Sequence, residues 1–139
     1  MDATIGRPRW VALGGLAVTA VGYLWDLGWH GSNATSPHSG KEVAQAHTLL
    51  LLGAAIMLAG LAWVVTSPGP RRSVADWIAL AGAAAMAAGF TWDSIRHLDG
   101  AESLTGHVLI YGGALAILVG MPTGIFLARR SLKSPIAHG

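Results

Sequence analysis

Two short segments each place an aspartate four residues before a histidine: Trp25-Asp26-Leu27-Gly28-Trp29-His30 and Trp92-Asp93-Ser94-Ile95-Arg96-His97. On a helix, positions four apart share one face and differ by about 6 Å in rise, so each carboxylate and imidazole can act together. His47 and His107 open the next apolar stretch in each half of the chain. Asp26, His30 and His47 thus form one candidate triad, and Asp93, His97 and His107 a second. Two imidazoles and a carboxylate suit first-row transition metals and leave coordination positions for water, oxygen or substrate. Cysteine is absent and Met1, Met57, Met86 and Met121 lie away from the triads, so the donors are nitrogen and oxygen. Copper(II), zinc and iron(II) all fit such a set. Either two three-ligand sites, one per half, or one dinuclear centre between the halves is compatible with the spacing.

Elements able to position these residues are plain in the composition. Of 139 residues, 53 % are hydrophobic and 12 % charged, too little charge to cover a soluble domain of this size. Four apolar stretches, at residues 10–30, 43–66, 77–97 and 104–127, have the length of membrane-spanning helices, for which about 20 residues suffice. They do not alternate with polar residues, which argues against strands. No small-residue cleavage site follows a short apolar run, so the first helix is expected to stay. The absence of cysteine rules out disulfides and cysteine catalysis, and a net charge of +2 gives no ground for a nucleic-acid partner.

Residues 10–30 align without a gap on residues 77–97, with ten identities in 21 positions that include Trp10/Trp77, Trp25/Trp92, Asp26/Asp93 and His30/His97. Residues 47–60 align on 107–120 through shared His, Leu, Gly and Ala. Duplication of one helical hairpin is the natural reading: repeat one spans 10–66 and repeat two 77–128, within a single transmembrane domain of residues 1–139. Two-span repeats have the same orientation and are related by an axis along the membrane normal. The expected fold is all-α, an up-down four-helix bundle of two tandem hairpins in a lipid bilayer. Gly15, Gly22, Gly53, Gly60, Gly82, Gly89, Gly113 and Gly120 would let its helices approach closely.

Arg7, Arg9, Arg71, Arg72, Arg129, Arg130 and Lys133 fall at one end of this bundle, and only Lys41 and Arg96 at the other. The positive-inside rule then puts both termini in the cytoplasm of a multi-pass cell-membrane protein, with both triads toward the outer face. Loops at 31–42 and 98–104 face outward. Trp10 and Trp77 would mark the inner interface, and Trp25, Trp29 and Trp92 the outer one.

A plainer reading of the triads exists. Aspartate and histidine are common at helix ends that face water, and duplication copies residues whether or not they act. Ionisable groups near membrane depth are nevertheless costly, which favours a function. Metal ligation therefore leads over a non-metal polar or pH-responsive cluster, and over haem ligation. Tyr111 lies one turn from His107, where repeat one has Leu51, and is a candidate catalytic tyrosine, with simple packing as its plainer role. His38, in Ser36-Pro37-His38-Ser39-Gly40, reads as a solvated loop residue. Asp99 and Glu102 read as helix caps, Arg96 as a partner for Asp93 or Asp99, and His138 as belonging to the opposite side.

Asp-x3-His followed by a histidine opening the next helix resembles the copper site in a membrane-spanning subunit of the copper membrane monooxygenases, the family of particulate methane and ammonia monooxygenases. The matching positions are Asp26, His30 and His47, and again Asp93, His97 and His107. The resemblance covers only these residues and the helices that carry them, in a shorter chain that holds the motif twice. It implies copper among the metals and oxygen chemistry on an apolar small-molecule substrate. Three functions are thus expected in order: a metal-dependent membrane oxidoreductase, a metal-transport or metallocentre-assembly protein, and a b-type haem electron-transfer subunit. Each is compatible with a place in a larger membrane complex or a homo-oligomer.

Overall fold

The computed structural model describes residues 6–33, 40–68, 72–99, 101 and 103–133. Among them are five helices and no strand: α1 (Arg7–Asn33), α2 (Gly40–Ala46), α3 (Thr48–Thr66), α4 (Val74–Leu98) and α5 (Leu104–Lys133). All but α2 are long and apolar enough to cross a bilayer. The architecture is the all-α four-helix bundle of a multi-pass membrane protein.

The second span departs from the expected continuous helix over 43–66. It breaks at His47, whose backbone (φ −81°, ψ −3°) sits between α2 and α3. The values remain in the right-handed helical region and the His47 carbonyl accepts from Leu51 N at 3.0 Å, so the interruption is slight and His47 is the N-cap of α3. Part of the expected outer loop is therefore the short helix α2, carrying exposed Lys41, Glu42 and Gln45. His38, Glu102 and His138 lie outside the described residues.

Within lipid, hydrophobicity does not drive one apolar helix onto another, so close packing must hold the bundle together. Glycine makes that packing feasible here. Gly15 and Gly22 of α1 meet the backbone of Met57 and Leu50 in α3, while Gly53 and Gly60 of α3 meet Thr19 and Ala12 in α1. Gly82 and Gly89 of α4 and Gly113 and Gly120 of α5 repeat this seam in the second hairpin. At each of these positions a Cβ would collide with backbone of the facing helix. The two hairpins then join where α3 packs on α4. Leu50, Met57, Leu61, Met86, Phe90 and Ile117 fill the shared core.

One polar tie crosses that core at the arginine-rich end. A single guanidinium nitrogen of Arg9 on α1 lies 2.8 and 2.9 Å from the two carboxylate oxygens of Asp76 on α4. Both residues are buried, Arg9 at 7 % and Asp76 at 2 % exposure. Asp76 also closes the capping box that starts α4, accepting from the Ser73 backbone N–H at 2.7 Å while Ser73 Oγ accepts from Asp76 N. Gly124 of α5 lies flat against the same carboxylate. Arg9 and Asp76 are 67 residues apart, the offset that superposes the two repeats. Positions that align between the two repeats thus carry opposite charges that face each other between the hairpins.

Removing one member of a buried ion pair strands the other. Arg9→Met or Asp76→Ala should each lower unfolding stability in detergent by about 3–5 kcal/mol. The double variant should cost clearly less than the two single losses together, measured by thermal or denaturant unfolding. Additive losses would show that the pair does not couple the hairpins.

Candidate metal centre

Asp26 and Asp93 sit about 26 Å of helix from Arg9 and Asp76, near the thickness of a hydrocarbon core. They therefore occupy the far end of the bundle, beside exposed Trp25 and Trp92. Their i+4 partners close on them as helix geometry requires. His30 Nε2 lies 3.5 Å from Asp26 Oδ1, and His97 Nε2 lies 3.3 Å from Asp93 Oδ2.

His47 joins the two halves. At the N-cap of α3 its ring turns into the bundle, where it is only 4 % exposed. Its Nε2 lies 3.2 Å from Asp26 Oδ1, and its Nδ1 lies 3.3 Å from Ser94 Oγ on α4. The ligand atoms of Asp26, His30 and His47 fall within 4.8 Å of one another, and so do those of His47, Asp93 and His97. One imidazole thus belongs to both groups. The ring centres of His30, His47 and His97 form a triangle with sides of 5.4, 6.1 and 6.4 Å. Three imidazoles around one tetrahedral ion stand about 5 Å apart centre to centre. Only a small contraction separates the observed triangle from that arrangement.

The donor chemistry points the same way. Asp26 Oδ1 and Asp93 Oδ1 are buried side-chain oxygens without a conventional hydrogen bond. What faces them is imidazole nitrogen, with no Lys or Arg in ion-pair range of either aspartate among the described residues. Arg96 pairs loosely with Asp99 at 3.9 Å and leaves Asp93 to the histidines. A buried carboxylate, Asp93, and a partly buried one, Asp26, set among three imidazoles form a donor set that one divalent cation would match in charge. The residues present fit a metal ion.

His107 and Tyr111 do not enter this cluster. The His107 Nδ1 lies 2.9 Å from the Ser103 carbonyl oxygen, so it donates there, and it stands 4.0 Å from Asp93 Oδ1. Its place is behind Asp93, not in the triangle. The reason lies in the connections: α5 starts directly on its Ser103 cap, whose Oγ accepts from Gly106 N, whereas α2 leads into α3 at His47. Mirrored triads were expected; the structure instead gathers five residues, Asp26, His30, His47, Asp93 and His97. Tyr111 stacks on His107 at 6.3 Å and is 59 % exposed on the outer surface of α5.

Three further residues matter that the motif spacing did not single out. Ser94 orients His47 and occupies the position equivalent to exposed Leu27 of the first repeat, so a polar residue inside an apolar frame was the available signal. Arg9 and Asp76 carry the analogous signal, being charges at a shared repeat position. A surface groove of about 380 Å³ runs along the outer side of α1, lined by Leu24, Trp25, Gly28, Trp29 and Ser32. The Trp29 ring meets His30 edge-on at 5.0 Å.

Outer partners of metal ligands are typically worth about 10- to 100-fold in affinity. Ser94→Ala and His107→Ala should therefore weaken binding of zinc(II) or copper(II) by no more than that range in equilibrium dialysis. His97→Ala should weaken binding by more than that range, leaving a residual site that fills only at high metal concentration. A His107→Ala loss as large as that of His97→Ala would make His107 a ligand. No protein-family model matches this chain, and no curated protein or solved structure matches it either, so the case for the site rests on its own geometry.

Proposed function

We propose that this chain is a membrane-embedded metal-binding protein that acts as an oxidoreductase on an apolar substrate, with copper the favoured ion. The observation that carries the reading is the pair of buried carboxylate oxygens, Asp26 Oδ1 and Asp93 Oδ1, set against three imidazoles from α1, α3 and α4. His30, His47 and His97 would hold the ion, with Asp26 and Asp93 completing its charge and coordination. Bound there, a redox-active metal supplies oxygen activation next to a hydrocarbon phase. The nitrogen and oxygen donor set admits copper, zinc or iron, and the Asp-x3-His resemblance is what favours copper among them. By the positive-inside rule the centre faces the outer side and both termini the cytoplasm.

The chain's own residues do the remaining work. Ser94 fixes the His47 ring from behind, leaving Nε2 toward Asp26. Trp29 packs edge-on against His30 and also lines the apolar groove on α1, where an apolar molecule could rest one ring away from the cluster. His30, with its side chain 44 % exposed, is the ligand open to solvent, the route by which an ion or small co-substrate arrives.

Transport is a weaker reading because a transported ion needs polar groups across the whole bilayer. Between the two polar ends the described core is Ala12, Ala54, Met57, Leu61, Ala83 and Met86, and the Thr19 hydroxyl is engaged by the Gly15 carbonyl. Haem ligation by His30 and His97 meets the His47 ring in the space a macrocycle would need.

Protein purified without chelator should contain about one transition-metal ion per chain, and Asp26→Ala, Asp93→Ala or His30→Ala should each lower it at least about tenfold. Metal analysis of these variants, beside helicity by circular dichroism, checks the binding. Oxygen uptake with a chemical reductant, present in metal-loaded protein and absent in His30→Ala, checks the redox assignment. Protein that stays metal-free after reconstitution would overturn the reading. Metal-replete protein inert toward oxygen would leave assembly or delivery of the ion as the function.

A further inference from the structure

The sequence alignment of the two halves matches α1 with α4 and α3 with α5, so the packed α3–α4 interface corresponds to the one between α5 and α1. That counterpart is open. No backbone contact joins α1 and α5 among the described residues, and a cleft of about 300 Å³ lies between them. Its walls include Leu13 and Leu16 of α1 and Ile117, Leu118 and Phe126 of α5, with Arg129 at one end. From Ile117 to Arg129 the cleft follows roughly 18 Å of helix, close to the depth of one leaflet.

Charge sets its polarity. The far end of the cleft is hydrocarbon-lined, and the near end carries Arg129. Arg130 sits beside it, its guanidinium 4.7 Å over the Phe126 ring. Arg7 is exposed at the start of α1, at the same end of the bundle. Apolar walls one leaflet deep that end in exposed guanidinium groups complement an acyl chain joined to an anionic phosphate. We infer that the α1–α5 cleft binds one anionic phospholipid from the leaflet at the arginine-rich end, its acyl chain in the seam and its phosphate at Arg129. The lipid takes the place of the helix contact that the duplicated bundle lacks on this side. The Asp/His cluster stands at the opposite end, so this site is separate from the metal chemistry and does not depend on it.

Native mass spectrometry of the purified chain with phosphatidylglycerol or phosphatidylcholine of the same acyl length tests the assignment. The full chain should retain one phosphatidylglycerol in preference to phosphatidylcholine. Arg129→Gln should lower phosphatidylglycerol retention by about fivefold, the effect of one cation near a membrane surface, and leave phosphatidylcholine unchanged. Leu16→Trp, which fills the seam, should displace both lipids while metal content stays that of the wild type. Equal retention of the two lipids, or retention unaffected by Leu16→Trp, would overturn the proposal. Because the chain has no cysteine, Leu118→Cys gives a clean further arm. Efficient disulfide linkage between two chains in the membrane would make a second copy the occupant and would equally overturn it.

Discussion

The structure depends on one constraint: carboxylates kept inside an apolar bundle need a positive partner. Desolvated charge costs several kcal/mol per group, and hydrocarbon offers no water to relieve it. Asp76 meets the constraint with Arg9 at one end. At the other end Asp26 and Asp93 face only imidazoles among the described residues. The two ends solve the same electrostatic problem differently. One has a built-in cation and is a tie; the other brings together donors that could hold one.

That contrast explains the use of the duplication. Glycine seams make each hairpin compact by itself, because α1 fits α3 and α4 fits α5 with backbones in contact. Each hairpin alone, however, supplies an incomplete polar set. Arg9 needs Asp76 from the other half, and His47 needs Ser94 behind it. His30 and His97, equivalent in the two repeats, come ring to ring at 6.4 Å only when the halves join. Association of the hairpins and assembly of the site are therefore one event, driven by packing and by the polar pairs instead of by the hydrophobic effect.

Much of this was legible in the sequence for physical reasons. Spans show because twenty apolar residues in a row have few other uses, and the Asp-x3-His pairs show because four residues is a helical repeat. The separate helix α2 was hidden: residues 43–66 read as one run, and nothing local marks the point at His47 where α2 gives way to α3. The His107 placement was hidden for a related reason. Sequence symmetry suggests a mirrored triad, but the connection from His30 to His47 is longer than that from His97 to His107, and only the longer one holds an extra helix. Ser94 and the Arg9–Asp76 pair are contacts between hairpins, invisible to spacing along one helix. Reading the repeats for positions that diverged in polarity, as at Leu27/Ser94 and Arg9/Asp76, would have found them.

The central claim is that side chains from both hairpins converge on one ion. X-ray absorption at the metal edge of the loaded protein tests it most directly. Convergence predicts a nitrogen and oxygen shell with three imidazoles at about 2.0–2.1 Å for zinc or copper, reduced to two by His97→Ala. A spectrum with two imidazoles per ion, at two ions per chain and unchanged per remaining ion by His97→Ala, would contradict it. Each hairpin would then hold its own metal, and the shared role given to His47 would be wrong.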